Sequence, residues 1–139
     1  MATVRKQIDL RAPAAAAWDA LRDFHAVHTR LVPGFVVEST PDGDDARVVT
    51  FFNGVVTREV LVGIDDGARR LAYHIPDGLP GCTHHSASAE VIERPDGCTF
   101  VWITDVLPDE LAGAIEPMMA RGAEVLQETL DALAVVDAR

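Results

Sequence analysis

The sequence predicts an α+β fold in which a curved antiparallel sheet of about seven strands wraps around a long C-terminal helix. Three observations carry this expectation. From about Phe35 to Asp105 the chain is a run of strand patterns punctuated by turns, with no helix pattern inside it. Before that run lie one strand and a short helical stretch carrying Trp18. After it comes a single long amphipathic helix opening at Leu107-Pro108-Asp109-Glu110. The order is β-α-α-β6-α, and a curved sheet gripping a long helix leaves room for a cavity between the two.

Each element follows from local pattern. Val4, Ile8 and Leu10 roughly alternate with Arg5, Gln7 and Asp9, as one face of a strand requires. Ala12-Pro13 then opens a helix, since proline is tolerated in a first turn, and the alanine-rich stretch with Trp18, Ala20 and Leu21 carries it to Asp23. Phe24 to Leu31 reads as a second short helical piece stopped by Pro33-Gly34. Strands are expected over Phe35–Ser39, Arg47–Phe52, Val55–Ile64, Arg70–Ile75, Thr83–Glu93 and Cys98–Val106. Asn53-Gly54 is the strongest hairpin signal, because a two-residue turn of this type matches the twist of the strands it joins. Short turns between successive strands make an antiparallel meander. The last helix places Leu111, Ile115, Met118, Gly122, Val125, Leu126, Thr129 and Leu133 along one stripe. Pro117 lies inside it, so a kink or break is expected near Gly113 to Glu116.

Composition narrows the function classes. A chain of 139 residues is read as one ligand-binding domain, residues 1–139, and 48% hydrophobic residues can fill its core. A formal net charge of −10 argues against nucleic-acid binding, which needs a basic face, and against attraction to anionic membranes. Met1 to Lys6 leads into the first strand without the apolar run of a secretory peptide, and no stretch approaches a membrane span, so a cytoplasmic protein without membrane insertion is expected. Cys82 and Cys98 are read as reduced thiols. His84 and His85 are adjacent on a strand and point to opposite faces, and His25 and His28 lack a third ligand, so neither a metal site nor a cofactor is expected. A homodimer is left open.

The order of elements resembles the helix-grip superfamily of START lipid-transfer domains, birch-pollen allergens, bacterial polyketide cyclases and plant abscisic-acid receptors. The resemblance is carried by Ala12-Pro13 with Trp18-Asp19, by Asp23-Phe24 and Val32-Pro33-Gly34-Phe35, by Arg58-Glu59-Val60-Leu61 ahead of Asp65-Asp66, by Arg70-Leu71-Ala72-Tyr73, by Thr83-His84-His85, and by Trp102-Ile103-Thr104-Asp105 with Leu107-Pro108-Asp109-Glu110. The chain looks most similar to small bacterial members described as cyclase/dehydrase-like or lipid-transport-like. In the receptors the positions resembling Glu59 and His85 line the ligand cavity. Their gating loop between the third and fourth strands is replaced here by the tight Asn53-Gly54 hairpin, which puts a gate of that kind in doubt.

Strand alternation supplies a pocket map. An inward Tyr73 takes Leu71 and Ile75 with it and leaves Ala72 and His74 outside; an inward Glu59 takes Thr57 and Leu61. A buried Glu59 would need a partner, with His85 the natural one and Arg30 and Arg58 the others. Trp102 would face outward if Val101 and Ile103 face in, and an outward Trp102 would hint at a dimer contact. The expected site combines Glu59, Tyr73 and His85 as polar contacts with Phe52, Leu71, Met118, Gly122, Leu126 and Thr129 as walls. The expected function is binding of a small hydrophobic or aromatic molecule, lipid-, polyketide- or hormone-like, between the sheet and the last helix. The alternatives are a cyclase or dehydratase with His85 and Glu59 as acid and base, and an interaction module using the outer sheet face.

Overall fold

In the computed structural model, which describes residues 1–137, seven strands form one sheet: β1 (Ala2–Leu10), β2 (Val36–Pro41), β3 (Ala46–Phe51), β4 (Val56–Asp65), β5 (Arg70–Asp77), β6 (His84–Arg94) and β7 (Gly97–Leu107). Their spatial order is β1-β7-β6-β5-β4-β3-β2, with every pair antiparallel. Six consecutive strands therefore form a meander from β2 to β7, and β1 is added beside β7. The helices are α1 (Ala14–Arg22) and α2 (Ala112–Asp137), so the fold is α+β of the helix-grip type. The segment expected to be a second short helix is a 3-10 turn at Phe24–Ala26 followed by a π turn at Val27–Leu31.

Two register shifts between β4 and β5 each add one residue: beside Glu59, Ile75 and Pro76 of β5 stand against Glu59 alone, and at Val62 the extra residue is on β4. Extra residues of this kind bend and twist a strand, and here they help curl the sheet around its concave face. That face carries alternate residues of each strand. Ile8 pairs with Phe100, Leu10 with Cys98, and Val91 again with Phe100. α2 packs along β1, and α1 packs on β6 and β7. Leu10, Ala12, Cys98, Phe100, Leu126 and Leu130 are all at most 2% exposed in the core they enclose. Complete burial of a Leu or Phe side chain stabilises by roughly 1.5–3 kcal/mol. α1 is also fastened at the surface, where Asp66 accepts from Trp18 Nε1 (2.9 Å) and Arg22 Nε (2.8 Å).

Three details of α2 and β7 differ from the sequence expectation. The buried stripe of α2 runs through Met119, Gly122, Leu126 and Leu130, with Ile115, Met118, Val125, Thr129 and Leu133 only half-buried along its flanks. α2 also runs without a break through Pro117. The helix begins at Ala112, so the carbonyl that Pro117 leaves without a helical partner belongs to Gly113 in the first turn, where little ladder is interrupted. On β7 the inward residues are Phe100, Trp102 and Thr104, and Val101 and Ile103 face the opposite side. Among the described residues no helix is long and apolar enough to cross a membrane.

Candidate functional site

The concave face encloses a cavity of about 320 Å³ toward its β3–β5 side. Its walls are mainly apolar, with Leu31, Val36, Phe51, Ile75 and Phe100 among them, and its polar groups come mainly from strands β3 to β7. α1 packs on β6 and β7 and α2 along β1, while the cavity is closed over by the turns at 24–32, the loop after β5 and the α2 residues from Ala114 to Leu126.

The dominant polar feature is Arg47. On β3, Arg47, Val49 and Phe51 alternate onto the concave face, and antiparallel register sets Arg47 directly opposite Glu59 of β4. Glu59 Oε1 accepts from Arg47 Nε at 2.9 Å and lies 2.7 Å from Nη2, with both side chains under a tenth exposed. Arg47 Nη1 donates to the Phe24 carbonyl at 2.6 Å, and its guanidinium sits 3.9 Å from the Phe24 ring centroid and 5.6 Å from that of Tyr73. Every partner that a desolvated guanidinium needs is thus at hand: a carboxylate, a carbonyl and an aromatic face. Burial makes such a pair strongly destabilising to break, because the survivor is left as an uncompensated charge.

Around this pair stand four further groups. Tyr73 of β5 accepts a hydrogen bond from Trp102 Nε1 at 3.2 Å. Burial pushes its phenol well above the ordinary value, the Glu59 carboxylate pushes the same way, and Arg47 and the Trp102 hydrogen bond oppose them. His85 of β6 lies beside Tyr73, with ring centroids 5.8 Å apart, and its Nδ1 accepts from the Ile75 backbone N–H at 3.2 Å. Burial pulls the imidazole down to about 4; its own backbone carbonyl opposes this, and His74 and His84 add to it, so His85 is neutral at physiological pH. Thr57 and Thr104 are buried on the wall, and the Thr57 hydroxyl has no hydrogen-bond partner among the described residues.

The expected polar residues Glu59, Tyr73 and His85 all lie on this one cavity, together with Leu71, Met118 and Leu126. The other three expected wall residues do not. Phe52 is 40% exposed at the Asn53-Gly54 hairpin, because Phe51 holds the inward position; the Arg121 guanidinium covers its ring at 4.1 Å. Gly122 is buried where α2 crosses the sheet, but a Cβ there would come within 3.0 Å of Trp102 and 3.1 Å of Phe35. Its missing side chain serves close packing of helix on sheet. Thr129 is half-buried one turn beyond Leu126, past the end of the cavity.

The partner of Glu59 also differs from expectation. It is Arg47, whereas Arg30 holds Asp19 and Asp23, and Arg58 holds Asp42. His85 makes no hydrogen bond to Glu59 among the described residues; its Nδ1 is engaged by β5 instead. The residues missed were Arg47, Thr57's free hydroxyl and the inward Trp102. Arg47 had a readable signal, since it sits in phase with Val49 and Phe51 on its strand. At the mouth, Leu79 and Pro80 of the loop after β5 reach the cavity. That loop starts at Gly78, whose φ is +99° and where a Cβ would come 2.4 Å from the Val56 carbonyl, so only glycine allows the loop to lie this close to β4.

A seven-stranded antiparallel sheet closed on a C-terminal helix around an apolar cavity is the architecture of a helix-grip protein. The chain belongs to the polyketide cyclase / dehydrase and lipid transport family, which it matches over residues 1–136. A Thermobifida fusca protein solved by NMR is 34% identical, with 96% of this chain and 95% of that one covered and a TM-score of 0.77. A Bacillus thuringiensis protein superposes at TM-score 0.81 over 93% of this chain and 98% of that one, with 16% identity. A norcoclaurine synthase point mutant from Thalictrum flavum, in complex with a transition-state analogue, gives a TM-score of 0.72 at 18% identity, covering 99% of this chain and 96% of that one. At these two lower identities the likeness concerns the fold. No curated protein matches the chain significantly.

Proposed function

We propose that this protein binds a small hydrophobic or aromatic molecule, lipid-, polyketide- or hormone-like, in the cavity between the sheet and α2. The observation that carries this reading is the cavity itself: about 320 Å³, walled by apolar side chains, with Arg47, Glu59, Thr57, Tyr73 and His85 grouped on its strand wall. A mostly apolar chamber with a few convergent polar groups has the make-up of a small-ligand site. The family's description, which joins polyketide cyclases and dehydrases with lipid transport, supports a ligand of this kind. Glu59, Tyr73 and His85 are the polar contacts, and Leu71, Met118 and Leu126 form part of the wall. Gly122 positions α2 without touching the ligand.

A cyclase or dehydratase using His85 as its base is less well supported. Its Nδ1 lone pair is occupied by Ile75, and an imidazole held near 4 is a weak base.

Native mass spectrometry of the protein as purified, followed by denaturing extraction, tests the proposal. A released apolar molecule at one per chain supports it and names the compound. An empty protein that also fails to take up hydrophobic fluorescent probes overturns it.

A further inference from the structure

Hydrogen-bond polarity on the cavity wall carries one step more. The backbone N–H of Ile75 can only donate, so His85 Nδ1, which receives it at 3.2 Å, carries no proton. In the neutral imidazole the proton then resides on Nε2, which makes no hydrogen bond to any described residue. Tyr73 is constrained in the same sense. Its oxygen already accepts the indole N–H of Trp102 at 3.2 Å, while its own hydroxyl proton meets no acceptor among the described residues. These side chains stand on neighbouring strands with ring centroids 5.8 Å apart, and both line the cavity. Each therefore has its accepting side engaged with protein and its donating side uncommitted. Thr57 adds an independent sign of an unmet partner: it is 0% exposed, lines the same cavity, and its hydroxyl is unpaired.

The charges on the wall restrict what could receive those protons. Arg47 is the one guanidinium on the cavity among the described residues, and its charge is already paired with Glu59, each of its nitrogens making one contact to Glu59 or the Phe24 carbonyl. Glu59 is balanced by Arg47, so a ligand carboxylate entering the same space would lose its hydration with no unpaired cation to receive it. Resting on the binding function proposed above, we infer that Tyr73 and His85 act as paired hydrogen-bond donors to a neutral acceptor oxygen of the ligand, a ketone or quinone-type carbonyl, and that they select against carboxylate-bearing ligands such as free fatty acids.

Two measurements test this, the first without any ligand. Long-range ¹H–¹⁵N correlation of the histidine rings in the unmodified protein is expected to show His85 with an unprotonated Nδ1 and a protonated Nε2 at neutral pH. A protonated Nδ1 overturns the inference and leaves the binding function standing. The second uses three probes on one skeleton: 9-fluorenone, fluorene and fluorene-9-carboxylate. Two neutral hydrogen bonds predict that fluorenone binds roughly tenfold more tightly than fluorene, with the carboxylate weakest. The infrared carbonyl stretch of bound fluorenone should lie lower in the unmodified protein than in Tyr73→Phe or His85→Phe. Equal affinity of fluorenone and fluorene with an unshifted stretch overturns the donor pair while confirming occupancy. Tight binding of the carboxylate overturns the selectivity. Failure of all three probes to bind counts against the cavity as a binding site, and the donor inference falls with it.

Discussion

The two halves of the concave face are built by the same alternation and end in opposite states. Under α1 and α2, the end of the sheet where β1 meets the start of β7 is filled by Leu10, Ala12, Cys98 and Leu130, none more than 1% exposed. The β3–β5 half, with the facing parts of β6 and β7, carries Arg47, Thr57, Glu59, Tyr73 and His85 on its inward positions and is hollow. Period-two patterning decides which residues point inward but not whether they meet other side chains. That depends on helix coverage and on side chains that cannot collapse together. A buried ion pair braced by a backbone carbonyl and an aromatic ring keeps its place, so the space beside it stays open.

The comparison is broken most severely by Glu59→Ala, which leaves the Arg47 guanidinium buried without its carboxylate. Chemical denaturation should show a loss of about 4 kcal/mol. An Arg47→Met/Glu59→Leu double variant should recover most of it, and a double-mutant cycle reads the coupling directly.

Acid should act next, through His85 on the cavity wall. His85 has an ordinary pKa of 6.5 and about 4 in the folded protein. Between those values the unfolded chain binds the proton and the folded chain does not. The stability from keeping His85 neutral is therefore fully present above pH 6.5 and is lost as pH falls toward 4, up to about 3 kcal/mol in all. His85→Gln should flatten the stability profile across that window, and urea melts at intervals of half a pH unit would show whether it does.

The packed half should respond to cavity creation more strongly than the hollow half. Leu130→Ala is expected to cost about 3 kcal/mol, because a fully buried side chain leaves a new void. Ile75→Ala, which enlarges space already present, should cost about 1 kcal/mol. Equal costs would mean that the cavity is closed in solution. An equally small effect is expected where the halves meet. Gly122→Ala forces Trp102 and Phe35 to shift by a few tenths of an ångström while gaining helix propensity, for a net loss of about 1 kcal/mol in thermal unfolding.

Much of the architecture was legible because it rests on local chemistry. Asn53-Gly54 and the Asp-Gly turns cut the meander at the right places, and strand limits fall within one or two residues of those read from the pattern. What escaped were choices between two faces or two partners. On β7 both faces are apolar, Val101 and Ile103 on one and Phe100 and Trp102 on the other, so alternation alone gave no answer; the paired strands decided it, setting Phe100 against Ile8 and Val91. The stripe of α2 was read one residue off, because Met118 and Met119, like Val125 and Leu126, are adjacent apolar pairs that either phase can claim. The Arg47–Glu59 pair required knowing the register of β3 on β4, to which the sequence offers only the inward phase of Arg47 as a clue.

The chain contains two tryptophans, and they stand in unlike settings. Trp18 points its indole N–H at Asp66 on the protein's rim, away from the cavity; Trp102 is part of the chamber wall and holds the Tyr73 hydroxyl. A ligand in the chamber lies beside a wall that includes one indole and leaves the other undisturbed. In optical terms the protein has a built-in gauge: occupancy should alter the emission of one fluorophore against the steady background of the other, with no label attached.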